Sequence, residues 1–377
     1  MKKGRDLQEL AAEITRQRDA KRDYVAPTTA LAMVVENGHF EPDGSPDQPK
    51  PLPKCLLDLQ DTGRFGINSL AHSHIQSHVN IPAQYYNRML SQAPELLAKN
   101  VNHWFRTNPA PRMVRTLDER VRALLSNSYR PLDNYDFAEA ILPVLRDRHL
   151  EVMSCEVTEK KLYIKAVDMR EVKVPVGYKM GDGSHRIFDV CAPAFIASNS
   201  EVGYGRLVLE TGVYTRACTN LAWWAEGGMK RTHLGSRHAV TEGVENIDAL
   251  LSARTKQKTD EALWLQVRDV MKAAFDEGFF KKRCERLTAT SEQRITGKVE
   301  LVVASAAERF GLTEVEKDGV LKHLIEGGKL SQYGLHAAFT RAAADVDDYD
   351  RSTEMEYMGG RIIELPRTDW AVLNEAA

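Results

Sequence analysis

Between Lys99 and Arg130 the sequence KNVNHWFRTNPAPRMVRTLDERVRALLSNSYR carries seven Lys/Arg against two acids and interleaves Trp104, Phe105 and Tyr129. Cations displace the counterions condensed on a polyanion, and aromatic faces stack on unpaired bases, so this mixture suits a nucleic-acid strand. Arg112, Arg115, Arg120, Arg122 and Arg130 are the candidate phosphate contacts, with Trp104 and Tyr129 as candidate stacking faces. A second patch repeats the pattern with Arg216, Lys230, Arg231 and Arg237 beside Trp223, Trp224, His233 and His238. The competing reading of both patches is a solvated basic face next to an ordinary core.

Residues for bond-breaking chemistry are harder to assemble. His74 and His78 stand at i and i+4, the spacing of two imidazoles on one metal, but HIQSH lacks the Glu that serves as general base in HEXXH. Cys218, His233 and His238 supply three candidate ligands for zinc without a fourth. Thr296-Gly297-Lys298 lacks the upstream glycine of a P-loop, and Gly181-Asp182-Gly183-Ser184 reads as a hairpin tip rather than a phosphate cradle. Asp133, Asp136, Glu201, Glu210 and His233 are the raw material for a two-metal nuclease, in no recognised spacing. Five scattered cysteines indicate neither a disulfide framework nor a paired zinc site. The expectation is a non-enzymatic protein without metal or cofactor; a metal-dependent nucleic-acid-processing enzyme and a non-DNA-binding interaction or inhibitor protein are the alternatives.

The elements that must position these residues form an α+β chain. Residues 112–125 fit two patterns. As a helix, Met113, Val114, Leu117, Val121, Leu124 and Leu125 form one stripe. As a hairpin turning at Asp118-Glu119, Leu117 faces Arg120, Thr116 faces Val121 and Arg115 faces Arg122. Val114, Val121, Ala123 and Leu125 then line one face, while Arg115, Arg120 and Arg122 gather on the other without a counter-acid, a place for an anion. DNYDFAEAILPVLRDR follows as an Asp/Asn-capped amphipathic helix. Half-alternating runs from Leu150 to Thr215 predict an antiparallel β-meander, closed by a helix over CTNLAWWAEGG.

Flanking regions are read more simply. Residues 1–24 predict a surface helix or solvated arm, and FEPDGSPDQPKPLPK a loop or linker. Beyond Thr241 the sequence holds helix formers without strand runs, ending in residues 344–357 with six acids against one base, a solvated face or a shield for a basic groove. The expected organisation is an arm and linker over 1–55, an α+β nucleic-acid-binding core over 56–240 and a helical region over 241–377. A chain of 377 residues exceeds one usual core, and 43% hydrophobic with 28% charged content is ordinary for a globular protein. A net charge of −2 makes any basic site local. No run of eighteen apolar residues and no apolar leader occurs, so the expected location is the cytoplasm, away from membranes.

Several segments carry a family resemblance: IPAQYYNRML with ELLAKNVNHWF, VRTLDERVRALLSNSYRPLDNYD, FIASNSEVGYGRLVLETGVYTRACTN, and YGLHAAFTRAAADVDDYDRSTEMEYMGGRIIEL. In order and spacing they resemble the phage/plasmid-like proteins of bacteria and their mobile elements, over most of residues 67–365. Glu119 and Leu221 stand where members of that family often carry glycine. The family implies no settled chemistry. The succession of basic hairpin, helix, meander and helix is more distantly similar to single-strand annealing proteins such as the lambda Red beta protein and the eukaryotic annealing recombinases. That resemblance implies binding and annealing of single-stranded DNA in phage or plasmid recombination, by a homo-oligomeric ring or filament that needs no cofactor.

Overall fold

The computed structural model describes residues 2–36, 54–169, 174–179, 185–215, 220–233, 252–273, 275 and 277–375. The chain is α+β, with a mixed sheet, then an antiparallel meander, then a helical C-terminal region. Helix α1 (Leu7–Ala20) starts at a capping box in which Asp6 accepts from the Glu9 N–H and the Glu9 side chain accepts from the Asp6 N–H. It leads into β1 (Arg22–Pro27) and β2 (Leu31–Glu36), so the expected arm supplies two strands. The linker expected over 40–54 lies outside the described residues except for Lys54, which opens β3 (Lys54–Leu59).

After β4 (Gly63–Ile67) come three helices, α2 (Ser69–His78), α3 (Ala83–Gln92) and α4 (Pro94–Thr107). The chain then returns as β5 (Pro111–Leu117) and β6 (Arg120–Ser126), resolving residues 112–125 as a hairpin. The first sheet has the order β1-β5-β6-β4-β3-β2, antiparallel throughout except for β4 beside β6. Parallel neighbours require a crossover, which is the task of α2–α4. These helices bury Ile75, Leu97, Val101 and Phe105 against Leu57, Val114, Val121 and Leu124.

Helix α5 (Asn134–Asp147) connects to the meander of β7 (Glu151–Val157), β8 (Leu162–Val167), β9 (Val174–Lys179), β10 (His185–Asn199), β11 (Leu207–Thr215) and β12 (Asn220–Arg231). Its order is β12-β11-β10-β8-β7, with β9 on the first half of β10. Of the helix expected over residues 218–228, the described part from Asn220 is instead strand β12, because Trp223 opposite Gly212 and Trp224 opposite Thr211 extend the ladder of β11. Tryptophan suits a pleated, covered surface as well as a helix, and pairing decides between them.

The C-terminal region is helical: α6 (Ala253–Ala273), α7 (Glu277–Glu292), α8 (Val299–Phe310), α9 (Glu314–Gly327), α10 (Gln332–Asp345), α11 (Tyr349–Glu364) and α12 (Arg367–Glu375). Both faces of the meander are covered, which explains near-continuous apolar runs in place of alternation. Phe195, Ala197 and Ile164 face α1, α5 and α6, while Ile196, Tyr163 and Val167 face α11. Period two puts Lys165 on the α11 side as well. It is fully buried there, donating to Glu356 Oε2 at 2.8 Å and Thr353 Oγ1 at 3.0 Å, while Trp223 Nε1 donates to the same carboxylate at 3.2 Å. Of the six acids in residues 344–357, Asp345, Asp347, Asp348 and Glu354 are exposed as a solvated face, Asp350 is half-buried, and Glu356 is turned inward on the side of α11 that packs against the meander. Among the described residues no helix is long and apolar enough to cross a membrane.

Removing one partner of such a pair strands the other charge in the interior. Glu356→Gln should lower unfolding stability by about 3–5 kcal/mol, read by urea denaturation with tryptophan fluorescence, whereas Lys165→Met with Glu356→Leu should recover most of it.

Candidate functional site

The hairpin that carries the expected arginine face turns at Asp118 and Glu119, with φ of +48° and +60°. Leu117 pairs with Arg120 and Thr116 with Val121, as the spacing predicts. One step further the register shifts, and Arg115 faces Ala123 rather than Arg122. The extra residue of a bulge turns the side chains beyond it to the opposite face. Val114, Val121 and Leu124 pack under α2–α4, whereas Ala123 and Leu125 pack with Tyr129 and Val202 on the meander side. The two hairpin faces are thus both covered, and Arg115 and Arg122 are buried.

Counter-acids for these arginines come from far along the chain. Arg115 donates from Nε to Asp23 at 2.9 Å, from Nη2 to Asp133 at 2.9 Å and from Nη1 to the Glu201 carbonyl at 2.7 Å. Arg122 pairs with the Glu201 carboxylate. Lys21 bridges Asp133 at 2.6 Å and Glu201 at 3.4 Å. Glu201 also accepts the Asn134 N–H at 2.7 Å, capping α5 while Asp133 at the N-cap position serves the arginine. Burial opposes the charge of Asp133 and Glu201, yet Arg115 with Lys21 and Arg122 with Lys21 outweigh it, holding both carboxyls below their usual range. Lys21, Arg115 and Arg122 balance Asp23, Asp133 and Glu201. The expectation of an arginine face without a counter-acid is overturned, and a phosphate at Arg115 or Arg122 would have to displace a buried carboxylate.

Other expected contacts are also committed internally. Tyr129 is buried, donates to the Ser200 carbonyl at 3.0 Å and stacks on His233 with ring centroids 5.2 Å apart, which leaves no face for a base. Arg130 pairs with Asp260 at 2.5 Å, and Arg112 donates to His78 Nδ1 at 2.6 Å. His74 Nδ1 accepts from the Leu124 N–H, so the two histidines serve separate structural bonds. Trp104, 45% exposed on α4, and Arg120 at the hairpin turn remain open to solvent. Arg216 and Arg237, with Cys218 and His238, lie outside the described residues. Among those described, no group of three or more His, Cys, Asp or Glu is placed to hold a metal ion.

A different cluster takes shape at one end of the meander. Antiparallel strands return alternate turns to the same end, and the start of β8, the end of β10, the start of β11 and the end of β12 meet there. This gathers Lys160 and Lys161, Tyr204 and Arg206, and Lys230 around a cleft of about 590 Å³, while Arg231, opposite Leu207, belongs to the other face of the sheet. The Lys160 and Lys161 ammoniums lie 5.1 and 5.4 Å from the ring centroid of Tyr204, which is 49% exposed. Gly205 permits this, since a Cβ there would come within 2.7 Å of Lys161 Cε. Burial lowers the Lys161 pKa, with Asp350 opposing. Lys230 pairs with Glu210 at 2.7 Å, while Lys161, Arg206 and Arg231 make no ion pair among the described residues. The opposite wall is α11 with Asp348, Asp350 and Glu354. Of this cluster only Lys230 stands out in the sequence; Lys160, Lys161, Tyr204 and Arg206 become visible through the strand order. No family model, curated protein or solved structure matches the chain. The cluster is therefore read from its own chemistry.

Arg115→Ala should behave as a structural variant, losing about 1–3 kcal/mol of stability in chemical denaturation as the bonds from its buried guanidinium to Asp23, Asp133 and the Glu201 carbonyl are lost. Depressed carboxyl pKa values stabilise the fold above the unfolded value near about 4, and that stability is lost as pH falls through the folded values. The melting temperature should therefore hold to about pH 5 and fall in acid, with a shallower fall in Glu201→Gln once its lower starting stability is subtracted.

Proposed function

We propose that the chain binds single-stranded DNA and promotes annealing of complementary strands, with the strand held at the meander end rather than on the hairpin. The observation that carries this reading is Tyr204, half exposed and flanked by two ammonium groups, with Arg206 lining the same cleft. One spot then offers an aromatic contact for a base and cationic contacts for phosphates. The acidic wall of Asp348, Asp350 and Glu354 favours one strand over two, because a second phosphate backbone would meet carboxylates. Annealing requires lowered repulsion between strands with pairing edges free, and no proton transfer. The hairpin, helix and meander on which the distant resemblance to annealing proteins rests follow one another in this chain, which supports extending the reading to a homo-oligomeric ring or filament on DNA.

Binding of a labelled oligo(dT) across a salt series tests the assignment. Lys160→Gln with Lys161→Gln and Arg206→Gln should flatten the plot of log K against log salt by about 0.7 for each phosphate no longer neutralised, roughly two in all. Tyr204→Ala should weaken binding by about 1–3 kcal/mol with little change in slope. Unchanged affinity in all four would sink the site. Strand cleavage with Mg²⁺ in place of accelerated joining would replace annealing by hydrolysis, and electron microscopy with and without DNA checks the ring or filament.

A further inference from the structure

A second pocket, of about 320 Å³, lies across the molecule where β3 and β4 run into α2. Leu56, Gly66 and Arg120 are neighbours across three strands, Leu56 opposite Gly66 and Gly66 opposite Arg120. Glycine in the middle of that row lets the Arg120 side chain lie over it, its Cγ 3.4 Å and Nε 3.6 Å from where a Cβ would stand, which turns the guanidinium stem toward the pocket. Ile67 and Leu90 add apolar wall, and Lys54 stands with Arg120 at the rim, both exposed and without an ion pair among the described residues.

The remaining polar groups of the pocket are donors too. His72 is kept neutral by burial, its pKa pushed down to about 4. Its Nδ1 lies 2.9 Å from the Tyr86 hydroxyl. Tyr86 is buried and has no other hydrogen-bond partner among the described residues, so its proton is satisfied by donating to Nδ1, which places the imidazole proton on Nε2. Pro94, the first residue of α4, also lines the pocket, and that helix has no side-chain cap on its N-terminal N–H groups. No Asp or Glu is among the described lining residues; Glu95 in the first turn of α4 is exposed outside it.

We infer that this pocket binds a small organic monoanion, a carboxylate with a short apolar body. Its charge would sit between Arg120, Lys54 and the start of α4, accept from His72 Nε2, and lay its chain along Leu56, Ile67 and Leu90. The site stands apart from the meander cleft and does not depend on the DNA-binding reading.

Isothermal titration of the full chain with hexanoate, hexanol and inorganic phosphate tests it. Hexanoate should bind with a sub-millimolar Kd, and both hexanol and phosphate at least tenfold more weakly. Lys54→Gln with Arg120→Gln, both solvent-exposed positions, should weaken hexanoate at least tenfold with an unchanged thermal melt. Gly66→Val should weaken it by displacing the Arg120 side chain, and Lys230→Gln in the other cleft should leave it alone. Absence of hexanoate binding overturns the site; equal binding of hexanol, or of hexanoate by the double variant, removes the anion from it, and equal binding of phosphate removes the apolar wall.

Discussion

Six charges joined where the two sheets meet, with Arg115, Arg122 and Glu201 buried among them, constrain this molecule more than any apolar contact. Lys21 and Asp23 come from the α1–β1 boundary, Arg115 and Arg122 from the hairpin, Asp133 from the start of α5 and Glu201 from the loop after β10. Such a network adds little net stability over apolar residues of the same volume, because Arg115, Arg122 and Glu201 have been desolvated. Its effect is on uniqueness. Shifting any one element leaves a charge unpaired in the interior, so the hairpin bulge, the helix start and the meander loop are fixed relative to one another.

The network also sorts the cations. Those of the hairpin hold the sheets together, while those at the turns of the meander face a cleft. Both kinds are arginines and lysines beside aromatic residues, and local composition is the same for each. What separates them is burial: Arg115 and Arg122 are closed off with carboxylates from remote segments, while Arg206 and Lys230 stay exposed. Asp23 lies 92 residues before Arg115, and Glu201 79 residues after Arg122.

The hairpin itself is legible in the sequence, since alternation across Asp118-Glu119 gives the correct pairs up to Thr116 and Val121. The bulge beyond is not, because one inserted residue leaves no local mark. Helices α5 and α8–α10 follow from periodicity and their stops. Strands β1–β3 are six residues each and become strands by pairing with remote partners. Trp223 and Glu356 mislead for a common reason: a bulky apolar pair and an acidic run read as helix and solvated face until the fold places them against each other. The meander cluster is a product of topology, with Lys160 and Arg206 joined only once the strand order is known.

The distance in sequence between the ends of the buried network has a meaning during synthesis. Lys21 emerges 180 residues before Glu201. At about 5–20 residues per second, roughly 10–40 s pass before its second carboxylate exists. For the last 79 residues of that interval, about 4–16 s, Arg122 exists without its carboxylate, offering polyanions a cation that the finished protein withdraws.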